Sequence, residues 1–275
     1  MDSFTSKVAV ITGGSRGIGY NVAAALVDRG AKVVLGDILD QQGEDAAREL
    51  NERVGKQVVA YLHTDVTKYK DLKALFALAE KLFGGVDIAV LNAGITGKGS
   101  GGIFTPLDGD KVALLHMAKS GKGGVIVNTA SLSGVLPASP IAAYSASKFA
   151  VVGWTRSLAH MKHVANVRVN AVCPAVCDTD INSNLDDQST SDYLEFSPKV
   201  QMEVIVQAFL RCIEDPRLSG DILMALPDGV HVQPKYIAPA SSVSKEYLEK
   251  FPEIRKRGTK FAKDSLAQAI ENAKL

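Results

Sequence analysis

The sequence has few cysteines, almost no net charge and no long hydrophobic run. Only three of its 275 residues are cysteines, Cys173, Cys177 and Cys212, an odd number without the spacing of a metal site. We therefore expect reduced thiols in a cytoplasmic protein, with no disulfide and no metal. The net charge of +1 gives no electrostatic basis for nucleic-acid binding. No apolar stretch approaches the ~18 residues of a membrane span, and residues 1–7 lack the pattern of a secretory signal.

Short hydrophobic runs alternate with longer helical patterns along the chain. The runs are almost continuously apolar, as expected for parallel strands buried on both faces. The predicted strands are Lys7–Thr12, Lys32–Asp37, Val58–His63, Asp87–Asn92, Val125–Thr129, Val167–Cys173 and Asp221–Leu226. The predicted helices are 17–29, 40–54, 67–83, 144–163 and 199–214. This alternation predicts an α/β fold, a doubly wound, seven-stranded parallel sheet (Rossmann fold) with helices on both faces.

The chain divides into one domain and a tail. Residues 1–238 are expected to form a single dinucleotide-binding and catalytic domain, in which the polar segment 178–198 is a substrate loop. Residues 239–275 are expected to form a C-terminal tail with a helix over Thr259–Ala273. A solvated tail is the simplest interpretation, and docking on a second subunit or a membrane surface remains an alternative.

The segment Thr12–Gly19 (TGGSRGIG) follows a predicted strand and opens a predicted helix. Glycines there permit a tight turn and a close approach of the backbone to a pyrophosphate, which the helix N-terminus stabilises. Asp37 ends the next strand, about 20 residues on, where a carboxylate can accept hydrogen bonds from the adenosine ribose. Its charge would repel a 2′-phosphate, so NAD is favoured over NADP. The alternative is that Asp37 only caps the next helix.

Tyr144 and Lys148 are four residues apart, on one face of a predicted helix. A free tyrosine has a pKa of ~10 and is a weak base at neutral pH. A nearby ammonium, together with an oxidised nicotinamide, would favour the phenolate. Ser131 ends the preceding strand and can hold a substrate oxygen beside Tyr144. These three residues are the predicted catalytic set.

With these residues in their order, the sequence resembles the short-chain dehydrogenase/reductase family from about Lys7 to Leu226. Within it, Ala130–Gly134, Val151–Leu158 and Val167–Pro174 are most similar to the NAD-dependent 15-hydroxyprostaglandin dehydrogenase branch. The resemblance implies adenine contacts at Asp65 and Val66, carboxamide contacts at Val176 and Thr179, and a ribose contact at Lys148. The residues expected to bind the cofactor are Gly13, Ser15, Arg16, Gly17, Ile18, Gly19, Asp37, Asp65, Val66, Asn92, Ala93, Gly94, Tyr144, Lys148, Pro174, Val176 and Thr179.

The sequence departs from the family pattern between Asn92 and Ser131. This stretch is about ten residues short of the family's pattern, and only Asp110–Ser120 is helical in character, roughly 16 Å at 1.5 Å per residue. The family's usual asparagine in this helix is missing, and its equivalent falls in Gly97–Gly102. His116 is a formal replacement, although a half-buried helix histidine is the simpler interpretation. In the family this helix normally lines a dimer interface. Because the helix is shortened here, a homo-oligomer (dimer or tetramer) is expected less strongly than for a family member with the full-length helix.

The predicted function is an oxidoreductase that transfers a hydride between NAD and an apolar secondary alcohol or its ketone, with Tyr144 as acid/base. The apolar substrate is suggested by Val135–Ile141 (VLPASPI), and prostaglandin is not carried over because residues 140–143 lack the branch's glutamine. One alternative is a dinucleotide-binding regulatory protein with impaired catalysis. Another is a different enzyme on the same fold, such as an NADP-dependent ketone reductase or an epimerase.

Overall fold

The hydrophobic runs form one eight-stranded sheet in the computed structural model, which describes residues 4–94, 107–179, 188–235 and 239–273. Its strands are β1 (Val8–Thr12), β2 (Lys32–Asp37), β3 (Val59–His63), β4 (Ile88–Leu91), β5 (Gly124–Thr129), β6 (Val167–Pro174), β7 (Ile222–Leu226) and β8 (Gly229–Val232). Every residue of β1 and β4 is buried, as their uninterrupted apolar sequences predict.

The strand order is β3-β2-β1-β4-β5-β6-β7-β8, and β1 to β7 are parallel. This confirms the predicted doubly wound sheet. The order reverses between β1 and β4, so the loops that follow these two strands diverge and leave a crevice at their carboxyl ends. In open α/β sheets this crevice is where ligands bind.

The expected seven-stranded, wholly parallel sheet requires one correction, because β8 is an additional antiparallel strand. It is joined to β7 by the two-residue turn Pro227-Asp228, and Leu226 pairs directly with Gly229. A two-residue connection can only reverse the chain, which forces the antiparallel pairing at this edge. The run Gly229–Val232 is short and half-exposed, so its sequence lacks the hydrophobic signal of a central strand.

Nine α-helices lie in the described residues, with both faces of the sheet covered. They are α1 (Gly17–Val27), α2 (Asp40–Val54), α3 (Tyr69–Phe83), α4 (Leu107–Ser120), α5 (Ala142–Ser157), α6 (Met161–Ala165), α7 (Gln188–Phe196), α8 (Met202–Glu214) and α9 (Lys245–Asn272). One core cluster joins α1, α2 and α8 to the sheet, with Ile18 packed against it. A second joins α3 and α4 to the other face. No helix within the described ranges combines the length and the apolar composition needed to cross a membrane.

Three predicted boundaries are wrong. The single helix predicted over 144–163 is divided in the structure. Helix α5 ends at Ser157, a 3-10 turn follows over Leu158–His160, and α6 begins at Met161. The predicted loop 178–198 contains α7, which packs against the 3-10 turn Ser139–Ile141; residues 180–187 lie outside the described residues. The tail helix begins at Lys245, because the Ser244 hydroxyl accepts a hydrogen bond from the Tyr247 amide at 3.0 Å and caps it.

Candidate active site

The glycine turn (Gly13–Gly19), which joins β1 to α1 and includes the first residues of that helix, has no room for a side chain at two of its glycines. Gly13 has a φ of +65°, and a Cβ atom there would lie 2.9 Å from the Cα of Ala93. A Cβ at Gly19 would lie 2.1 Å from the carbonyl oxygen of Gly13. Helix α1 begins at Gly17, directly after Arg16, so its first backbone amides point towards the switch-point crevice. This arrangement suits a bound pyrophosphate.

The carboxylate of Asp37, at the end of β2, is bonded to this turn. Its Oδ2 accepts hydrogen bonds from the amide and the hydroxyl of Ser15, at 3.1 and 2.6 Å. Its Oδ1 accepts from the amides of Ile38 and Leu39, at 2.8 and 3.3 Å. These amides precede α2, which begins at Asp40, so Asp37 is not the ordinary cap of that helix. Its negative charge therefore stands beside the glycine turn.

Asp65 and Val66 follow β3, at the same edge of the sheet. The Asp65 Oδ1 accepts hydrogen bonds from the amide and hydroxyl of Thr67, at 3.0 and 2.7 Å, and Oδ2 pairs with Lys68 at 3.0 Å. The hydrogen bond from the Thr67 hydroxyl is the main reason why the pKa of Asp65 falls to about 2. Val66 packs half-buried against the core on the α3 side. Asp65 thus shapes the turn into α3.

Asn92 joins the ends of three strands. The amides of Asn92 and Ala93 both donate to the Thr12 hydroxyl, at 3.0 and 3.1 Å. The Asn92 side-chain amide donates to the carbonyl oxygen of Gly13 at 3.0 Å, and its Oδ1 accepts from the Thr129 hydroxyl at 3.2 Å. These bonds hold the carboxyl ends of β1, β4 and β5 together at the switch point.

Ser131, Tyr144 and Lys148 come together next to this junction. Ser131 follows β5, and the other two lie one turn apart at the start of α5. The Ser131 hydroxyl is close enough to the Tyr144 phenol to lower the pKa of the phenol as a hydrogen-bonding neighbour. The Lys148 Nζ donates to the carbonyl oxygen of Thr129 at 3.1 Å and lies 5.5 Å from the centroid of the Tyr144 ring. A Cβ at Gly94 would lie 4.0 Å from the same Nζ, so the triad borders the segment after β4.

Burial sets the charge state of this pair. It raises the pKa of the Tyr144 phenol above its ordinary value, and the hydrogen bond with Ser131 opposes the rise only in part. Burial also lowers the pKa of Lys148 to about 8. In the protein alone, the Tyr144 phenol is therefore neutral at neutral pH, whereas Lys148, whose pKa stays above 7, remains mostly an ammonium. A positive charge that enters the crevice would favour the phenolate.

The segment after β6 crosses over the start of α1. Pro174 ends the strand, and the carbonyl oxygen of Val176 accepts a hydrogen bond from the Val200 amide at 2.8 Å. The methyl carbon of Thr179 would lie 3.7 Å from a Cβ at Gly17. Thr179 therefore reaches the glycine turn, and all the predicted cofactor residues lie along one edge of the sheet.

The family model described as short chain dehydrogenase matches residues 7–190. The chain belongs to the short-chain dehydrogenase family. It is 31% identical over 255 residues to 15-hydroxyprostaglandin dehydrogenase [NAD(+)] of Mus musculus, covering 85% of this chain and 95% of the relative. The Homo sapiens enzyme of the same description is 31% identical over 249 residues, with 82% and 94% covered.

Solved structures give the same family and fold. A 3-ketoacyl-(acyl-carrier-protein) reductase from Brucella melitensis complexed with NADH is 26% identical, with a TM-score of 0.70 and coverage of 82% of this chain and 98% of that one. Levodione reductase is also 26% identical, with a TM-score of 0.69 and coverage of 82% and 97%. The resemblance inferred from the motifs is thus confirmed, and the chain is an oxidoreductase of this family.

His116 does not replace the asparagine that this short-chain dehydrogenase lacks. It is buried, its Nδ1 is 2.6 Å from Glu80 Oε1, and its ring stacks on Phe76 with centroids 5.6 Å apart. These contacts give it a structural place against α3, as the simpler interpretation expected, but the side chain is fully buried and not half-buried. The helix that carries it, α4, starts at Leu107, slightly earlier than predicted. The run Gly97–Gly102 lies outside the described residues.

Sequence reasoning missed a second carboxylate near Asp37. Asp40 Oδ1 accepts a hydrogen bond from the Tyr61 hydroxyl and contacts His63 Nδ1, both at 2.8 Å. The hydrogen bond from Tyr61, followed by that from His63, lowers the pKa of Asp40. The Tyr61 hydroxyl oxygen also lies 2.8 Å from the backbone carbonyl oxygen of Asp37. Only the pairing of β2 with β3, which sets His63 beside Asp37, brings these residues together.

Sequence reasoning also missed a fully buried carboxyl behind α5. Asp110 on α4 has no exposed surface, and its oxygens accept hydrogen bonds from the Asn128 amide at 3.3 Å and the Trp154 indole at 3.0 Å. The Asn128 amide also donates to the Thr155 hydroxyl at 3.2 Å. This network connects α4 and β5 to α5, the helix that carries Tyr144.

Proposed function

We propose that this short-chain dehydrogenase transfers a hydride between NAD and an apolar secondary alcohol or its ketone, with Tyr144 as the acid/base. One observation carries the proposal. Ser131, Tyr144 and Lys148 meet at the carboxyl end of the sheet, beside the crevice that the glycine turn borders. A phenol, a hydroxyl and an ammonium in this arrangement can bind an alcohol oxygen and exchange its proton.

NAD fits the residues around the turn better than NADP does. The tight backbone at Gly13 and Gly19 is a cradle that a Cβ would fill. Asp37 and Asp40 bring two carboxylates to the place where a 2′-phosphate would lie, and repulsion would oppose it. Both oxygens of Asp37 already accept hydrogen bonds from Ser15 and Ile38, so a ribose hydroxyl would share this carboxylate. The Mus musculus relative is described as NAD(+)-dependent, which supports the same choice.

The proposed roles follow from the contacts. When bound, NAD supplies the carbon that accepts or returns the hydride. Ser131 holds the substrate oxygen through its hydroxyl, and Tyr144 removes the hydroxyl proton during oxidation or returns one during reduction. The Lys148 ammonium stabilises the phenolate and is itself held by the Thr129 carbonyl. Oxidation of the alcohol requires the Tyr144 phenolate, and reduction of the ketone requires the protonated phenol.

The surroundings of Tyr144 support an apolar substrate. Leu136 is 61% exposed and precedes the turn Ser139–Ile141, and Phe196 on α7 is 79% exposed. Helix α7 packs against that turn, and its Tyr193 is near enough to Tyr144 to raise the pKa of the phenol. Large apolar side chains at the entrance of a site favour a ligand with a hydrocarbon surface.

A second candidate is a dinucleotide-binding protein with weak catalysis. The sequence contains no asparagine between Ala93 and Val127, so the family's usual relay behind Lys148 has no counterpart there. The third candidate is an NADP-dependent ketone reductase. The carboxylates of Asp37 and Asp40 argue against it, because they would repel the 2′-phosphate.

Titration of the purified chain with NAD⁺ and NADP⁺, followed by NADH formation over a panel of secondary alcohols, separates the three. We expect tighter binding of NAD⁺ and turnover that increases with the apolar character of the alcohol. Tight NAD⁺ binding without turnover on any alcohol or ketone would favour the second candidate. Preference for NADP⁺ would contradict the proposal. Parallel assays of Tyr144→Phe show whether any turnover belongs to this site.

A further inference from the structure

The first half of α9 stands clear of the rest of the protein. Every residue from 244 to 258 is exposed. The second half is attached, because α9 contacts α4 and α6 and its half-buried residues recur at helical spacing, at Thr259, Ala262, Leu266 and Ile270. A hydrogen bond of 3.0 Å from Lys73 Nζ to the carbonyl oxygen of Ala273 holds the far end. Helix α9 is therefore anchored at one end and projects at the other.

The projecting half carries an uncovered apolar face, formed by Tyr247, Leu248, Phe251 and Ile254 and continued by Phe261. Spacings of three, four and seven residues place these side chains on one side of a helix. Leu248 is 60% and Phe261 74% exposed, and the rings of Tyr247 and Phe251 are 5.6 Å apart. Pro252, which costs the helix one hydrogen bond, lies four residues after Leu248 and so borders this face on the Leu248 side.

Positive charge is concentrated in the same part of α9. Lys245–Lys263 contains seven Lys/Arg and three Asp/Glu, a net charge of +4, whereas the whole chain has +1 and the remainder therefore −3. By helical position, Lys250 and Arg257 lie at one edge of the apolar face and Arg255 at the other. Long basic side chains at the edges of an apolar face can extend their charges to a polar headgroup layer while their stems stay in apolar surroundings.

We propose that α9 docks the protein on an anionic phospholipid surface. The apolar face enters the boundary between headgroups and acyl chains, and the flanking cations contact the lipid phosphates and carboxylates. A second copy of the chain fits this face less well. Two-fold pairing of α9 would bring cationic edges against cationic edges, and this repulsion opposes self-association. The inference does not depend on the proposed catalytic function.

The test is co-sedimentation of the full-length chain with vesicles of phosphatidylcholine alone and of phosphatidylcholine with phosphatidylserine. We expect binding to the anionic vesicles, weakened by added salt because the charges are exposed. The double variant Leu248→Ser/Phe251→Ser should bind at least about thirtyfold more weakly, since two apolar side chains no longer enter the lipid. Arg255→Gln/Arg257→Gln should bind about thirtyfold more weakly to anionic vesicles only.

Leu82→Ser is the matched control, because Leu82 is 48% exposed on α3, away from α9. It should leave vesicle binding unchanged, and circular dichroism of each variant checks that the fold is retained. The proposal fails if the wild-type chain ignores anionic vesicles at low salt, or if Leu248→Ser/Phe251→Ser binds them equally well. It also fails if sedimentation velocity shows that the wild-type chain is a dimer and that Leu248→Ser/Phe251→Ser is a monomer. A second copy of the chain would then cover the apolar face.

Discussion

The Trp154 indole on α5 donates a hydrogen bond of 3.0 Å to Oδ2 of Asp110 on α4. Burial raises the pKa of Asp110 to about 7, and the hydrogen bonds from Asn128 and Trp154 offset only part of the rise. A carboxyl that is protonated below neutral pH therefore lies between α4 and the helix that carries Tyr144.

This contact predicts a pH-dependent stability. In the unfolded chain the pKa of Asp110 returns to ~3.9, so between about pH 4 and 7 the folded state binds more protons and the free energy of unfolding falls as pH rises. The total loss is up to about 4 kcal/mol at ~1.36 kcal/mol per pKa unit. Asp110→Asn can still accept from Trp154 but cannot ionise, so this part of the slope should vanish.

Urea unfolding of both proteins at about pH 5 and about pH 8 measures the difference. Asp108→Asn is the control, because Asp108 lies on the same helix but is exposed and pairs with Lys111 at 3.1 Å. If Asp110→Asn and the wild-type chain lose equal stability between the two pH values, Asp110 is not the titrating group.

Replacing Tyr144 with phenylalanine should abolish turnover and leave NAD⁺ affinity nearly unchanged. The change removes only the hydroxyl, which has the Ser131 side chain as a hydrogen-bonding neighbour, and keeps the ring under Lys148. Steady-state assays with the best alcohol of the panel, together with NAD⁺ titration by protein fluorescence, test this. Retained activity would exclude Tyr144 as the base.

Lys148→Met should lower kcat at neutral pH by about a hundredfold or more, within the range for general acid–base groups. Burial raises the pKa of Tyr144, and without the ammonium this rise is less well compensated. The pH profile of kcat for oxidation should therefore move to higher pH. Lys111→Met, an exposed lysine on α4, provides the control. A fall in kcat with an unmoved profile would assign Lys148 to positioning alone.

Asp37→Ala should weaken NAD⁺ binding by about tenfold or more, as expected for the loss of charge-assisted hydrogen bonds. NADP⁺ binding should change much less, because the repulsion of its phosphate is relieved. Titration with each cofactor gives the two affinities, and Asp45→Ala, a half-exposed residue of α2, is the control. Because Asp37 also holds Ser15, equal losses for both cofactors would mean that it only shapes the turn.

Gly19→Ala should destroy dinucleotide binding, since its methyl group would lie 2.1 Å from the carbonyl oxygen of Gly13. Gly153→Ala is a matched control on α5, where a Cβ meets no atom within 4 Å. That change should raise helix stability by about 0.5–1 kcal/mol. Thermal unfolding and NAD⁺ titration of both variants measure these effects. Undiminished NAD⁺ binding by Gly19→Ala would rule out a tight cradle at this turn.

The sequence alone predicted the parallel sheet and the candidate site residues that follow its strands. Runs such as Val8–Thr12 are apolar on both faces, which is typical of a parallel strand that helices bury on both sides. The glycine turn was predictable for a similar reason, because its geometry arises within a few consecutive residues. The spacing of Tyr144 and Lys148 likewise follows from a single helix.

Contacts between distant parts of the chain were not predictable from such local patterns. Nothing in the sequence near Asp110 indicates that Asn128 and Trp154 would surround it, or that Asp40 would meet Tyr61 and His63. These residues are brought together only when neighbouring strands and helices pack. The same holds for β8, whose weak apolar pattern becomes a strand because β7 offers it an edge.

The sequence by itself thus determined the family fold, the glycine turn and the candidate catalytic triad, since each is encoded in short-range spacing. Only the tertiary structure decided the charge states of Tyr144, Lys148 and Asp110, because burial controls them and is a property of the whole packing. It also decided the exposure of the apolar face of α9. A helical pattern of apolar residues predicts an apolar face, but it does not indicate whether other parts of the protein bury that face.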